Sequence, residues 1–295
     1  MQTTKISAEF PYKSRFVDVY GSKMHYIEEG AGDPILFLHG IPTSSYLWRN
    51  VIPHLSSLGR CIAPDLIGMG KSAKPDIEYT IFDHIKYIDK FIETLQLDRL
   101  TLVLHGWGSV IGFDYAMRNE KNCNGLAFYE AYLRYADDNE SPLPHEEQKL
   151  SWRTESNISD LVTDGVSFVD KALPQGLMRS LSDAEMNHYR EPFKSKGSGK
   201  PIYQYLRDLP NGDNRCKVKD LIANYSQKLT KSALPKLLMY TIPGFITTIA
   251  TVMWAKENLP KIEIIDIGEE LHYAQESNPT VMGDAISIWL QGIEQ

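Results

Sequence analysis

The chain has 295 residues, 42% of them hydrophobic and 23% charged, with a formal net charge of −7. That length and balance suit one large domain, or a core with an inserted subdomain, able to bury a sizeable interior. The negative charge argues against nucleic acid or an anionic membrane as the main partner, and Cys61, Cys123 and Cys216 are too few and too scattered for a disulfide framework or a zinc site.

No run of about 18 apolar residues is present, so no membrane span is expected. The stretch MQTTKISAEFPYKSRF lacks the apolar region of an export signal, which makes a cytoplasmic protein the expectation. Taken in chain order, short apolar runs predict strands at 16–20, 23–29, 34–40, 60–66, 99–105, 125–131, 235–241 and 261–267. A helix is predicted over 80–97, where Ile81, Ile85, Ile88, Ile92 and Leu95 recur at spacings of three and four. Further helices are expected at 109–119, 247–259 and 279–294. Strands alternating with helices predict a mostly parallel sheet covered on both faces. The alternation breaks over 133–232, which is charge-rich and holds helical fragments such as 217–230. The expected organisation is a core of 1–132 and 233–295 with a helical cap of 133–232 inserted between the sixth and seventh strands.

In such sheets ligands sit beyond the carboxyl ends of the strands. The loops after Leu38, Leu66, His105, Glu130, Thr241 and Ile267 should therefore converge beneath the cap. LVLHGWGSV (102–110) reads as a buried strand entering a sharp turn and then a helix, the way an α/β-hydrolase presents its nucleophile. The apex residue, however, is Gly106, which has no side chain. The backbone N–H of Trp107 and one from the turn His39-Gly40-Ile41-Pro42 would form a polarising pair that needs no particular side chain. Trp107 itself is expected to line the site, its alternative being to pack the cap interface.

Glu130 ends the sixth strand, where a buried carboxylate needs a partner. It either orients a histidine or bridges to a cap residue such as Arg134. The segment MYTIPGFITT after the seventh strand contains no acid, which leaves Glu130 as the candidate. His272 follows the last core strand, so the order elbow, acid, base is respected. His25, His54, His84, His145 and His188 have no site-like context, and His39 and His105 are expected to be structural donors. Ser109 belongs to the helix start and should face away from the apex.

Several stretches carry a family resemblance: ILFLHGIPTSSYLWRNVIPHL (35–55), CIAPDLIGMGKSAKPD (61–76), HGWGSVIGFDYAMRN (105–119), MNHYREPF (186–193) and LHYAQESNP (271–279). They run from end to end of the chain, which resembles the haloalkane dehalogenases, in the subgroup that includes Renilla-type luciferase. The resemblance implies an α/β-hydrolase fold with an eight-stranded, mostly parallel sheet, a helical cap and no cofactor. In that family an Asp at the apex attacks the halogen-bearing carbon, a His activates water, a Glu or Asp holds the His, and an Asn and a Trp grip the halide. Carried over, His272 is the base, Glu130 the acid and Trp107 a halide donor. The nucleophile position holds Gly106, and the Asn position holds Ile41.

Without an attacking side chain no alkyl-enzyme forms at 106, and Ile41 removes a halide donor, an effect of a few kcal/mol if such donors resemble oxyanion-hole groups (~3 kcal/mol). Efficient dehalogenation is not expected. Loss of the Asp opens space above the elbow and removes a negative charge that would have favoured the imidazolium. Three readings follow. The first is an enzyme using the His272–Glu130 dyad for noncovalent acid/base chemistry: proton abstraction, cyclisation, elimination or cofactor-free oxygenation. The second is a haloalkane dehalogenase inactivated at its nucleophile. The third is a non-catalytic ligand-binding protein. Phe168 and Leu173 from the cap, together with Leu271 beside the base, are expected to line the pocket. The expected partner is a hydrophobic small molecule, bound by a monomer or small homo-oligomer.

Overall fold

The computed structural model describes residues 6–135, 165–209 and 215–293. His145 and the part of the expected cap at 136–164 lie outside them. Eight strands form one sheet: β1 (Arg15–Val19), β2 (Ser22–Glu29), β3 (Pro34–Leu38), β4 (Arg60–Pro64), β5 (Leu100–Gly106), β6 (Cys123–Ala131), β7 (Lys236–Tyr240) and β8 (Ile262–Asp266). Their spatial order is β1-β2-β4-β3-β5-β6-β7-β8. β2 runs antiparallel to both β1 and β4, and every other pairing is parallel. This is the α/β-hydrolase fold with a helical cap, as the sequence predicts.

The interior strands β3 and β5 are buried along their whole length, which is why they read as unbroken apolar runs. Edge strand β8 is only partly covered, and its acidic residues Glu263 and Asp266 are exposed. Helix α1 (Ile81–Thr94) starts at a reciprocal cap in which the Thr80 hydroxyl accepts from Asp83 N–H and Asp83 accepts from Thr80 N–H. Its Ile81, Ile85, Ile88 and Ile92 face the core, as the spacing predicts, while Leu95 caps the end and stays partly exposed. Helix α2 (Trp107–Arg118) begins directly after β5, two residues earlier than expected, so no linker separates strand from helix.

Among the described residues, four helices, α3 (Gly165–Gln175), α4 (Asp183–Arg190), α5 (Lys200–Asp208) and α6 (Arg215–Leu229), follow β6 and precede β7. They form the described part of the cap. The chain then returns through β7, α7 (Ile249–Asn258), β8, the short α8 (Ala274–Ser277) and α9 (Pro279–Ile293). Among the described residues, no helix is long and apolar enough to cross a membrane.

Candidate active site

The elbow between β5 and α2 turns at Gly106, whose φ of 51° and ψ of −127° are costly for any residue with a Cβ. The loop after β3 comes so close that a Cβ on Gly40 would stand 3.3 Å from Gly106 Cα and 3.3 Å from Trp107 N. This close approach brings the turn carrying Ile41 beside the first amide of α2. Two buried histidines brace it. Leu66 N–H donates to His39 Nε2 at 3.0 Å, so His39 Nδ1–H donates to Gly40 O at 2.7 Å. His105 Nε2–H donates to the backbone oxygen of His272 at 2.8 Å. Burial pushes both imidazoles below their ordinary range, so they act as neutral struts.

Glu130 sits at a register shift between β5 and β6, with a φ of 46°. Its carboxylate accepts His272 Nδ1–H at 2.9 Å, and Phe245, Ile246 and Thr247 N–H at 2.9, 2.8 and 3.2 Å. Burial alone would raise its pKa, but the hydrogen bond and charge of His272 and the two nearest amides together hold it below the usual carboxylate value. An ionised carboxylate accepts only, so Nδ1 is the donor and the neutral imidazole carries its lone pair on Nε2. A Cβ built on Gly106 would lie 3.5 Å from that Nε2. His272 Nε2 therefore faces the direction in which a side chain at 106 would project. Elbow, acid and base are brought together from the ends of β5, β6 and the loop after β8. The bridge from Glu130 to Arg134 is not made, because the carboxylate is occupied by His272 and main-chain amides.

A cavity of about 100 Å³ opens over His272. Ile41 and Pro42 from the loop after β3, Tyr132 after β6, Phe245 and Ile246 after β7, and Tyr273 beside the base form its floor and sides. The cap contributes Phe168, Ala172, Gln175 and Gly176 from the α3 end, and Tyr205, Leu206 and Leu209 from the α5 end. Among these described lining residues, none is Lys, Arg, Asp or Glu.

The structure corrects four expectations about this lining. Leu173 is fully buried but does not reach the cavity. Phe168, Ala172 and Gln175 share one face of α3, whereas Leu173 lies one residue round the helix beside Val169, in the cap interior. Leu271 is half-buried, and its backbone oxygen accepts the Tyr129 hydroxyl rather than its side chain meeting the cavity. Trp107 is 1% exposed and packs edge-on against Tyr132 and Tyr205 at 5.7 and 5.1 Å, so those tyrosines form the wall in its place. The loop after Leu66 supplies none of the lining residues. Ser109, as expected, turns away, donating to Gly106 O at 2.6 Å and accepting from Tyr132 N–H.

The hydroxyl pair Tyr132–Tyr205, 3.3 Å apart, and the amide cradle under Glu130 have no signature in the sequence patterns read above. The Pro243-Gly244 turn was the available signal for the cradle: Gly244, with a φ of 62°, brings the chain within reach of the carboxylate. Among the described residues, no group of three or more His, Cys, Asp or Glu side chains is arranged to hold a metal ion.

The α/β hydrolase fold family model matches residues 33–256. A haloalkane dehalogenase of Sphingobium indicum is 39% identical over 290 residues, covering 95% of each chain. The chain belongs to the haloalkane dehalogenase family of α/β hydrolases. Another member, from Mesorhizobium japonicum, is 39% identical over 287 residues, covering 96% of this chain and 92% of its own. The crystal structure of the haloalkane dehalogenase DbeA from Bradyrhizobium elkani superimposes with a TM-score of 0.91 at 35% identity, covering 96% of this chain and 98% of that one. DatA from Agrobacterium tumefaciens gives 0.89 at 33% identity, with 95% and 97% covered.

Proposed function

We propose that this member of the dehalogenase family has no covalent nucleophile and uses the His272–Glu130 dyad for proton transfer on a hydrophobic small molecule held beneath the cap. One observation carries the reading: His272 Nε2 points at position 106, 3.5 Å from where a Cβ would stand, and the residue there is glycine. Elsewhere the dyad is complete, with Glu130 satisfied on every side. A complete dyad favours an enzyme over a protein that only binds.

In this reading the substrate presents an acidic O–H or C–H to Nε2, which takes the proton. Charge developing on a nearby oxygen falls toward the Ile41 and Trp107 amides. Glu130 stabilises the imidazolium until the proton is returned to the product. Cyclisation, elimination, isomerisation and cofactor-free oxygenation all fit this cycle. Ile41 stands where the family places an amide that grips halide, and its apolar side chain is 5% exposed in the cavity wall.

The second reading, a dehalogenase disabled at its nucleophile, is favoured by the names of the relatives and by a cavity of only about 100 Å³, of a size for a short haloalkane. One set of variants separates the two. Wild type should release no bromide from n-butyl bromide. Gly106→Asp with Ile41→Asn should restore release if position 106 is the attacking position. A panel of enolisable and phenolic hydrophobic compounds, screened with wild type and His272→Ala, tests the dyad. Turnover should fall by about 10²–10⁴-fold in the variant while binding changes little. Brisk halide release by wild type, or an alkyl adduct on one of its side chains, would overturn the proposal.

A further inference from the structure

Resting on the reading that His272 takes a proton, we propose that the Tyr273 hydroxyl is the donor that meets the substrate's oxygen, and that the substrate is a small enolisable ketone.

Tyr273 follows His272 in the chain, and both line the cavity. It is 4% exposed. Other buried tyrosines donate to fixed acceptors: Tyr129 to Leu271 O, Tyr189 to Glu276 and Tyr225 to Tyr132 O. Tyr132 and Tyr205 pair with each other. The Tyr273 hydroxyl, by contrast, makes no hydrogen bond among the described residues. A buried hydroxyl left unmet costs about 1–3 kcal/mol. At a cavity wall, that cost is relieved by an acceptor entering the cavity.

The ring is held in place on several sides. It packs edge-on against the His272 ring at 4.6 Å and lies 5.7 Å from the His105 ring. On the cap side, a Cβ on Gly176 would stand 2.7 Å from two of its ring carbons. The donor is therefore positioned before a ligand arrives. Burial, with the Tyr205 phenol and the Glu130 carboxylate, pushes the Tyr273 hydroxyl above its ordinary range, so it keeps its proton and acts as a donor.

Donor and acceptor together define the substrate. His272 Nε2 carries a lone pair and takes a hydrogen, while the phenol offers one. The two are not bonded to each other, so a ligand that answers both carries its acceptor oxygen and its acidic hydrogen on different atoms. A carbonyl with an adjacent C–H does so. None of the described lining residues is charged in the manner of Lys, Arg, Asp or Glu, which favours a neutral ketone over an acid. Nε2 removes the α proton, the C–H electron pair becomes the C=C bond of an enolate, and the carbonyl π pair moves to oxygen. There the Tyr273 O–H joins the elbow amides in meeting the charge. Return of the proton from the imidazolium to carbon restores the ketone, or gives its isomer where the enolate is conjugated.

The experiment uses carbonyl-labelled cyclohexanone in D₂O with wild type, Tyr273→Phe and Tyr205→Phe. Difference infrared spectra should show the C=O stretch of the bound ketone lowered in wild type and raised again in Tyr273→Phe, which keeps the ring and its packing. NMR should show deuterium entering the α carbons with wild type, with kcat falling about 10²–10³-fold in Tyr273→Phe and KM changing little. The same stretch in wild type and Tyr273→Phe, an effect carried by Tyr205→Phe instead, or no bound ketone up to its solubility would overturn the inference. The two readouts separate the inference from the reading beneath it. A Tyr273-dependent stretch without deuterium exchange keeps the donor and removes the proton-transfer role of His272. Exchange that is equal in wild type and Tyr273→Phe keeps His272 and removes the donor.

Discussion

Glu130 shows how much of a site can be built from main chain. Its carboxylate is met by His272 and by the amides of Phe245, Ile246 and Thr247, so replacing it with an amide of the same shape is informative. In Glu130→Gln, either orientation sets an NH₂ against an existing N–H donor, and the charge that stabilises the imidazolium is gone. Stability should drop by about 1–3 kcal/mol in urea titrations, and dyad-dependent turnover should drop by on the order of 10³–10⁴-fold, the scale seen when a triad acid is neutralised. The meeting of Glu130 and His272 was legible in the sequence because each follows a strand in the order the fold requires. The amides that hold the acid were not, because any residue can supply a backbone N–H. Gly106 carries a second prediction at this scale. At φ 51° and ψ −127° a side chain is strained, so Gly106→Asp should cost about 1–3 kcal/mol in thermal unfolding even as it supplies an attacking group.

At the scale of elements, the cap meets the base loop where α3 ends. Tyr273 N–H donates to Gly176 O at 2.9 Å, and a Cβ on Gly176 would stand 2.7 Å from the Tyr273 ring and 3.2 Å from His272 Cβ. Gly176→Ala should push the base loop away from the end of α3. The expected result is a loss of about 1–3 kcal/mol in stability and a shift in the His272 ring resonances, read by NMR. The strands were legible because buried parallel strands are continuous apolar runs, and α1 was legible because four isoleucines repeat on one face. The two faces of α3 were not told apart. Phe168 and Leu173 are both large and apolar, and only the docking of the helix decides which of them meets the cavity.

Across the whole molecule, cap and core are joined by buried charge. Arg49, in the loop after β3, donates to Glu276 of α8 at 2.5 and 2.8 Å and to Glu185 of α4 at 3.1 Å. Arg179 reaches the same two acids, and the Tyr189 hydroxyl donates to Glu276. Arg49 and Glu276 side chains are 1% and 0% exposed. Arg49→Met leaves Glu276 short of charge and should cost about 3–5 kcal/mol, with part of the loss regained in Arg49→Met, Glu276→Leu. Acid titration gives an independent check at Asp65. Burial there is outweighed by the hydrogen bond and charge of His25 and the Ser45 amide, which bring the carboxyl down to about 2. A carboxyl lowered on folding stabilises the native state above its unfolded pKa, and the benefit fades as pH falls through the folded value. Asp65 should therefore contribute on the order of 2 kcal/mol above pH ~4, lost toward pH ~2. Asp65→Asn should flatten that part of the acid limb in denaturant titrations.

The main-chain nest beneath Glu130 has one more consequence. Peptide dipoles share with His272 the work of holding this anion, so part of its stabilisation remains when the imidazole is neutral. The imidazole can load and unload without stranding an unmet charge in the interior. A centre wired this way tolerates a change in the residue that faces it, which is what the function proposed above requires of an elbow that carries glycine.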